Sequence, residues 1–145
     1  MDVHDAVLAE IDPRTLYRIL ALRSEVFVLE QECAYLDPDG RDLEPDARQL
    51  WLEDGGEVVA TLRVLTDPGD VLRIGRVATA ASVRGLGLAA RLMRRALEFA
   101  EGRESVLGAQ AHLHDWYARF GFVRDGADYD EDGIPHTPMR RPASP

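Results

Sequence analysis

The chain has 145 residues, the length of one domain, with 46% hydrophobic and 30% charged residues, a composition that excludes a disordered tail. Its 17 basic and 26 acidic residues give a net charge of −9, which argues against general nucleic-acid binding. No apolar run approaches the roughly 20 residues of a membrane span, so we predict no membrane partner.

The first predicted element is a helix that opens at Asp12-Pro13, because Asp is favoured as an N-cap and Pro at the first helical position. The mostly apolar residues of its predicted buried face recur at spacings of three and four, and Arg23 is one of them. This pattern predicts that the helix ends near residues 30–31. Residues 33–47 are rich in Asp, Pro and Gly and predict a loop of about 15 residues, a length that is often functional.

An antiparallel meander follows, with strands predicted near 49–52, 58–65 and 71–79 and turns at 54–56 and 67–70. A loop over 80–84 leads into a second helix over about 87–101. Its predicted buried stripe consists of Leu88, Leu92, Ala96 and Phe99.

The rest of the chain is predicted to hold a strand over 105–111, a short helix over 115–120, and a hairpin with strands near 127–129 and 136–139. The order is helix, three antiparallel strands, helix, strand, helix, hairpin. It predicts one α+β domain built on a central mixed sheet.

The N-terminus lacks the basic and apolar regions of a secretory signal, so we expect a cytoplasmic protein. The single cysteine, Cys33, cannot form an internal disulfide. With four scattered histidines it makes a poor zinc site, and we therefore predict no metal.

Charge is unevenly distributed along the chain. Residues 1–69 carry 6 Arg against 16 acidic residues, whereas residues 70–104 carry 7 Arg against 4. An acidic first half beside a basic middle suits a protein that holds an anionic cofactor and attracts a cationic substrate. An unevenly charged solvated surface gives the same pattern, so the asymmetry alone does not decide between them.

The sharpest motif is the segment 84–89, of sequence RGLGLA, between the third strand and the second helix. Gly85 and Gly87 lack Cβ, so the backbone can take positive φ and approach a ligand closely. The helix dipole and the first-turn amides form an anion site, to which Arg84 adds a forked cationic donor. The dinucleotide-binding pattern Gly-x-Gly-x-x-Gly is not met, because Ala90 occupies the position of its third glycine. On this motif alone, two interpretations are equally good: an anion-binding site, and a tight turn that begins a helix without binding a ligand.

The pattern Arg84-x-x-Gly87-x-Ala89 is similar to the signature Arg/Gln-x-x-Gly-x-Gly/Ala of the GNAT N-acetyltransferase superfamily, which grips the pyrophosphate of coenzyme A. The segment 117–122 (YARFGF) resembles the second hallmark of that superfamily, a short helix that carries Tyr and ends in Gly-Phe. Both motifs occur in the expected order and at the expected separation. Together they favour the anion site.

Further segments resemble the ElaA-like branch of the superfamily; they are 22–31, 33–42, 109–113 and 132–136. The likeness runs from about residue 12 to residue 140. Gln49 stands where the branch is expected to have His, a departure that removes one proton carrier. Gln110 lies near the position where the wider superfamily usually has Asn, although Gln at this position resembles the pattern of the ElaA-like branch.

The resemblance implies a GNAT-like α+β fold in one domain over 1–145, with a mixed, mostly antiparallel sheet flanked by helices on both faces. It implies an acyl-CoA-dependent N-acyltransferase that transfers acetyl from acetyl-CoA to an amine by direct attack on the thioester. Coenzyme A is then the co-substrate, and no metal is required. The implied acceptor is a small-molecule or peptide amine, and the assembly is left open between monomer and homodimer.

The same resemblance implies the site residues. Tyr117 is the candidate acid for the departing thiolate, against the alternative of an aromatic that only packs beside its neighbours. Strand amides where the sheet splays would serve the oxyanion and the pantetheine arm. The candidate coenzyme A-binding residues are Val77, Ala78, Thr79, Arg84, Gly85, Leu86, Gly87, Leu88 and Ala89.

No general base is equally clear from the sequence. Glu30, Glu32, Asp37 and His136 are candidates, and each is also explained as a structural or solvated residue. The remaining polar candidates, His112, His114 and Cys33, are more often surface residues or, for cysteine, a small buried hydrophobe.

Three functions therefore compete. An acyl-CoA-dependent N-acyltransferase accounts for both hallmarks and for the basic middle of the chain. A non-catalytic coenzyme A-binding or sensor module accounts for the phosphate loop without turnover. A protein-interaction domain with an incidental glycine turn leaves both hallmarks unexplained.

Overall fold

The computed structural model describes residues 1–144. Its strands are β1 His4–Val7, β2 Arg48–Asp54, β3 Glu57–Asp67, β4 Val71–Thr79, β5 Ser105–Gln110, β6 Val123–Arg124, β7 Tyr129–Glu131 and β8 Ile134–Arg141. The α-helices are α1 Pro13–Ser24, α2 Leu88–Ala100 and α3 His114–Ala118. A π-helical segment, Glu25–Glu30, extends α1, and short 3₁₀ turns cover Arg41–Leu43, Ala81–Val83 and Ala111–Leu113.

All eight strands join one sheet in the order β1-β2-β3-β4-β5-β8-β6, with β7 paired to β8. Only β4 and β5 run parallel to each other, and the other pairs are antiparallel. α2 connects these two parallel strands. The predicted mixed, mostly antiparallel sheet is confirmed.

Helices cover both faces of the sheet. Leu50 and Leu52 of β2 pack in the core cluster that contains α2, whereas Trp51 between them packs in the cluster that contains α1. Successive side chains of a strand point to opposite faces, so the two helices lie on opposite sides. Each large apolar side chain buried in this way contributes about 1.5–3 kcal/mol.

The predicted elements differ from the observed ones mainly at the edges of the sheet. The pattern analysis misses β1 and β6, because β1 buries only Ala6 and β6 has only two residues. The final hairpin turns at 132–133; β7 lies two residues later than the predicted strand at 127–129, and β8 extends beyond the predicted 136–139 at both ends.

The predicted buried stripe of α2 needs one correction. Phe99 is half-buried at the rim of the core, where the guanidinium groups of Arg48 and Arg95 cover its ring at 4.8 Å and 4.7 Å from the centroid. The buried position at this end of the helix belongs to Ala100.

No helix within residues 1–144 has the length and apolar character that crossing a bilayer demands.

Candidate active site

β4 and β5 separate soon after they pair, and the gap between them opens into a cleft. Their parallel register covers only Leu72–Ser105 and Arg73–Val106. The cleft has a volume of about 460 Å³ and is bordered by β4, β5, the π-helical segment, the 33–47 loop and the β7–β8 hairpin. Tyr117 of α3 also lines it.

A β-bulge interrupts β4 beside this gap. The register with β3 shifts between Thr61, opposite Ala78, and Arg63, opposite Gly75. Arg76 lies in the bulge and takes a φ of +53°, in the left-handed region that a non-glycine residue seldom adopts. The extra residue reverses the side to which the following backbone amides point.

The bulge determines which amides of β4 face the gap. The amide of Ala80 donates to the carbonyl of Val59 on β3, at 2.8 Å. Because backbone groups of a strand alternate in direction, Ala78 also faces β3, whereas Val77 and Thr79 point their amides into the gap. Of the three candidate residues on β4, these two can present N–H groups to a ligand there.

The segment 84–89 has the conformation of an anion-binding loop. Gly85 and Gly87 take φ values of +81° and +75°, and Gly87 directly precedes α2. Across residues 1–144, no oxygen atom accepts a hydrogen bond from the amides of residues 85–90. The first turn of α2 carries no acidic side chain. Free amides at the positive end of a helix suit the diphosphate of coenzyme A.

Arg84 beside this loop already has an anionic partner. Its guanidinium forms two hydrogen-bonded contacts with the Glu30 carboxylate, at 2.6 Å and 2.7 Å, and its Nε donates to the carbonyl of Thr79. These contacts lower the pKa of Glu30 and raise that of Arg84. Both side chains remain more than 40% exposed, so a phosphate can compete for the arginine.

Tyr117 is both a core residue and a cleft residue. It is only 7% exposed and its ring packs edge-on against Trp116, with centroids 4.9 Å apart. Burial raises the pKa of Tyr117 to about 12. The phenol therefore stays protonated at neutral pH, the form in which it can donate a hydrogen bond.

The floor of the cleft rests on a network of arginines and aspartates that the sequence analysis misses. Arg23 is 0% exposed; it donates to Asp37 at 2.8 Å and to both oxygens of Asp42 at 2.9 Å and 3.1 Å. Arg63 of β3 reaches Asp42 and also both oxygens of Asp39. The network thus ties α1 and β3 to the 33–47 loop.

Arg76 completes this network from the bulge, through ion pairs with Asp37 and Asp39. Hydrogen bonds from Arg63 lower the pKa of Asp39. The network (Arg23, Arg63, Arg76, Asp37, Asp39 and Asp42) balances three positive charges with three negative ones. A sequence signal for it exists, because Arg23 occupies an apolar-stripe position ahead of an Asp-rich loop.

The four base candidates have different surroundings. Asp37 is buried in the network, and Glu30 is held by Arg84. Glu32 is exposed, at a residue with a φ of +51°. Only His136 among the four lines the cleft.

Three other residues singled out by the sequence have structural partners. Gln49 is buried and donates to Asp42, so its position supports the network. Gln110 lines the cleft and donates to Gln31. Cys33 is buried and its Sγ contacts the backbone carbonyl of Asp132 at 3.2 Å, which joins the loop to the β7–β8 turn. Within the part of the chain described, no three His, Cys, Asp or Glu side chains form a metal-binding group.

The acetyltransferase (GNAT) domain family matches residues 25–142 of the chain. A UPF0039 protein of Mycobacterium tuberculosis is 47% identical over 139 residues, which cover 93% of this chain and 89% of that protein. Protein ElaA of Escherichia coli is 40% identical over 148 residues, which cover 97% of this chain and 94% of that protein.

The fold agrees with two solved structures over 97% of the chain. The crystal structure of an acyl-CoA N-acyltransferase from Pseudomonas aeruginosa superimposes with a TM-score of 0.91 and 41% identity, covering 97% of this chain and 99% of that one. The crystal structure of Escherichia coli ElaA superimposes with a TM-score of 0.89 and 38% identity, covering 97% and 98%. The α+β GNAT-like fold is confirmed.

Proposed function

The chain belongs to the GNAT family of N-acetyltransferases, in its ElaA-like branch, and we propose that it transfers acetyl from acetyl-CoA directly to an amine. One observation carries the proposal: the gap between β4 and β5, into which strand alternation directs the amides of Val77 and Thr79, opens into the cleft that Tyr117 lines. A thioester in that gap meets donors for its oxygen and for its sulfur.

The co-substrate is proposed to bind along β4 and the start of α2. The amides of residues 85–90 receive the diphosphate, and Arg84 adds charge once its contact with Glu30 is exchanged for phosphate. Val77 and Thr79 hold the pantetheine arm and the thioester oxygen through their backbone N–H groups. Ala78 contributes its small side chain to the core, which lets the strand lie close to α1.

Tyr117 is proposed to stabilise the departing sulfur. A thiol has a pKa near ~8.5, so full transfer of a proton from a phenol with a pKa of about 12 is uphill by about 5 kcal/mol. A hydrogen bond from the hydroxyl to the developing thiolate needs no such transfer. Tyr117 therefore acts first as a hydrogen-bond donor, and the proton follows as the thiolate is released.

The acceptor is proposed to enter from the α1 face of the sheet, where the 33–47 loop and the β7–β8 hairpin border the cleft. The arginines there are neutralised by the network, while Glu131 and Asp132 on the hairpin add negative charge. That balance favours a cationic acceptor, either a small molecule or a peptide amine. We propose that the reaction takes place in the cytoplasm.

The test is a turnover screen that follows free thiol release from acetyl-CoA with polyamines, amino sugars, basic peptides and amine-bearing antibiotics. We expect at least one amine to be acetylated. With that amine, Tyr117→Phe should lower kcat by about 10² to 10⁴-fold and leave coenzyme A affinity near wild type.

Tyr17→Phe is the matched control, because Tyr17 is 77% exposed on α1 and should have no effect. A protein that binds coenzyme A in calorimetry but acetylates none of these amines would be the non-catalytic module instead. A Tyr117→Phe variant whose kcat stays within a few-fold of wild type would leave that residue a packing role only.

A further inference from the structure

We infer that His136, with Glu131 as its partner, accepts the proton that the acceptor amine must lose. The inference rests on the proposed acyl transfer and assigns the residue that this reaction still lacks. An ammonium with a pKa near ~10 has no lone pair with which to attack a thioester, so a base in the acceptor cleft is required.

The imidazole of His136 is held in one orientation. The residue is 9% exposed on β8, and its Nδ1 lies 2.8 Å from the carbonyl oxygen of Ile134. A carbonyl only accepts hydrogen bonds, so Nδ1 carries the proton and the neutral ring presents its lone pair at Nε2. Tyr129 stacks on the ring, with centroids 5.6 Å apart and planes 26° from parallel.

Glu131 is placed to stabilise the ring after it takes up a proton. Its Oε2 lies 3.3 Å from Nε2 of His136, and its side chain is 54% exposed. When both ring nitrogens carry protons, one donates to Ile134 and the other to Glu131. The surroundings therefore suit the imidazolium, which is the product of accepting a proton.

The pair faces the gap between β4 and β5. In the sheet register His136 lies opposite both Gln110 of β5 and Tyr129 of β7, so the three side chains share one face. A Cβ on Gly108 would lie 2.2 Å from the Tyr129 hydroxyl, which shows how closely this hairpin covers β5. His136 and Tyr117 line the same cleft.

Most of the other titratable groups that line the cleft with His136 are paired with opposite charges or stay protonated. Asp39 is paired with Arg63 and Arg76, and Arg73 is paired with Asp67. The remaining titratable side chains that line the cleft are Tyr35, Arg41, Tyr117, Tyr129, Glu131, Asp132 and Cys33, whose Sγ contacts a carbonyl. Burial raises the pKa of Tyr129, so it stays protonated.

The proton balance is complete without any further reagent. Nε2 of His136 takes one proton from the acceptor ammonium, directly or through one water molecule. The amine nitrogen then forms the C–N bond, the C–S bond breaks, and the sulfur receives its proton from Tyr117 or solvent. The acceptor nitrogen passes its second proton to the Tyr117 phenolate, or to solvent where solvent protonated the sulfur, and His136 returns to its neutral form by releasing its one proton to solvent.

The experiment compares wild type, His136→Gln, Glu131→Gln and His114→Gln with the best amine found. His114→Gln is the matched control, because His114 also contacts a carboxylate, Asp115 at 3.1 Å, but lies outside the cleft. We expect His136→Gln to lower kcat/KM by about 10² to 10⁴-fold and to abolish the acidic limb of its pH profile. Added imidazole should restore part of the rate, and coenzyme A affinity should be unchanged.

Glu131→Gln should lower kcat/KM less than His136→Gln does, because the ring stays in place and loses only the carboxylate that lies 3.3 Å from its Nε2. An exposed Glu131 makes this variant independent of whether His136→Gln folds. If wild type turns over but His136→Gln keeps the acidic limb and neither variant lowers kcat/KM, the inference is wrong and the proposed function stands. If wild type acetylates no amine, the proposed function fails and the inference fails with it.

Discussion

The two ends of the site handle charge in opposite ways. At the start of α2, backbone amides and two left-handed glycines leave the positive end of a helix without a partner inside the chain described. Beneath the cleft, Arg23 and its neighbours satisfy their charges within the protein. The first region leaves its amides available to an outside anion, whereas the second holds the 33–47 loop in place.

This contrast shows why arginines of one chain need different interpretations. Arg84 is 43% exposed and its pairing with Glu30 is open to competition. Arg23 has no exposed surface, and without it Asp37 and Asp42 keep only Arg76 and Arg63 as cationic partners, which leaves the buried network with one uncompensated negative charge. Exposure therefore separates an arginine that a ligand can reach from one that serves the fold.

The largest expected effect is on stability, from Arg23→Met. The substitution keeps the length of the side chain but leaves Asp37 and Asp42 without their main cation, which should cost about 3–5 kcal/mol in free energy of unfolding. Urea denaturation would measure it. Arg18→Met on the exposed face of α1 is the control and should stay within about 0.5 kcal/mol of wild type. A small loss at Arg23 would mean that the network contributes little to the fold.

The next effect concerns the backbone of the anion loop. Gly87→Val adds a β-branched side chain at a φ of +75° and should weaken coenzyme A binding by on the order of a hundredfold, because amide contacts to phosphate are lost. Calorimetry would measure the affinity.

Gly56→Val is the matched control for that variant, since Gly56 has a similar φ of +83° in the β2–β3 turn. Both variants should lose about 1–3 kcal/mol of stability from the strained backbone. Only the one at Gly87 should lose affinity. Equal affinities in the two folded proteins would move the phosphate site elsewhere.

A smaller effect is expected from Arg84→Ala. Charge-assisted hydrogen bonds contribute about 1.5 to 3 kcal/mol, so coenzyme A should bind about tenfold or more weakly, whereas a phosphate-free acyl-pantetheine should bind as before. Parallel titrations of the two ligands would show the difference. Equal losses for both would mean that Arg84 supports the loop through its contact with Thr79 instead.

The smallest effect is expected from Glu30→Gln. Removing the carboxylate frees Arg84 for phosphate and should tighten coenzyme A binding by about threefold, in the range of an exposed ion pair. Glu25→Gln, an exposed residue of the same π-helical segment, is the control. Weaker binding in Glu30→Gln would instead make Glu30 the residue that positions Arg84.

The same contrast explains what the sequence can predict. The anion loop is a local feature, because two glycines, a strand and a helix within a few residues determine its geometry. The meander and α2 are predicted for a similar reason, since periodic apolar residues and turn residues lie close together in sequence.

The network could not be predicted in this way. Arg23 meets Asp42 across 19 residues, and Arg76 meets Asp37 across 39. Only tertiary contact brings such residues together, and the bulge at Arg76, which aims that side chain, has no pattern of its own. The β1 strand was not predicted for a related reason, because its pairing with β2 buries little apolar surface.

The position of β8 between β5 and β6 affects the order in which the strands of the sheet can form during synthesis and refolding. Strands β2 to β4 pair with their sequence neighbours, so they can form as soon as they leave the ribosome. β5 finds its antiparallel partner only when residues 134–141 have emerged. We expect pulse-labelled hydrogen exchange during refolding to protect β2–β4 amides before those of β5. The cleft wall that carries His136 would then be the last part of the protein to form.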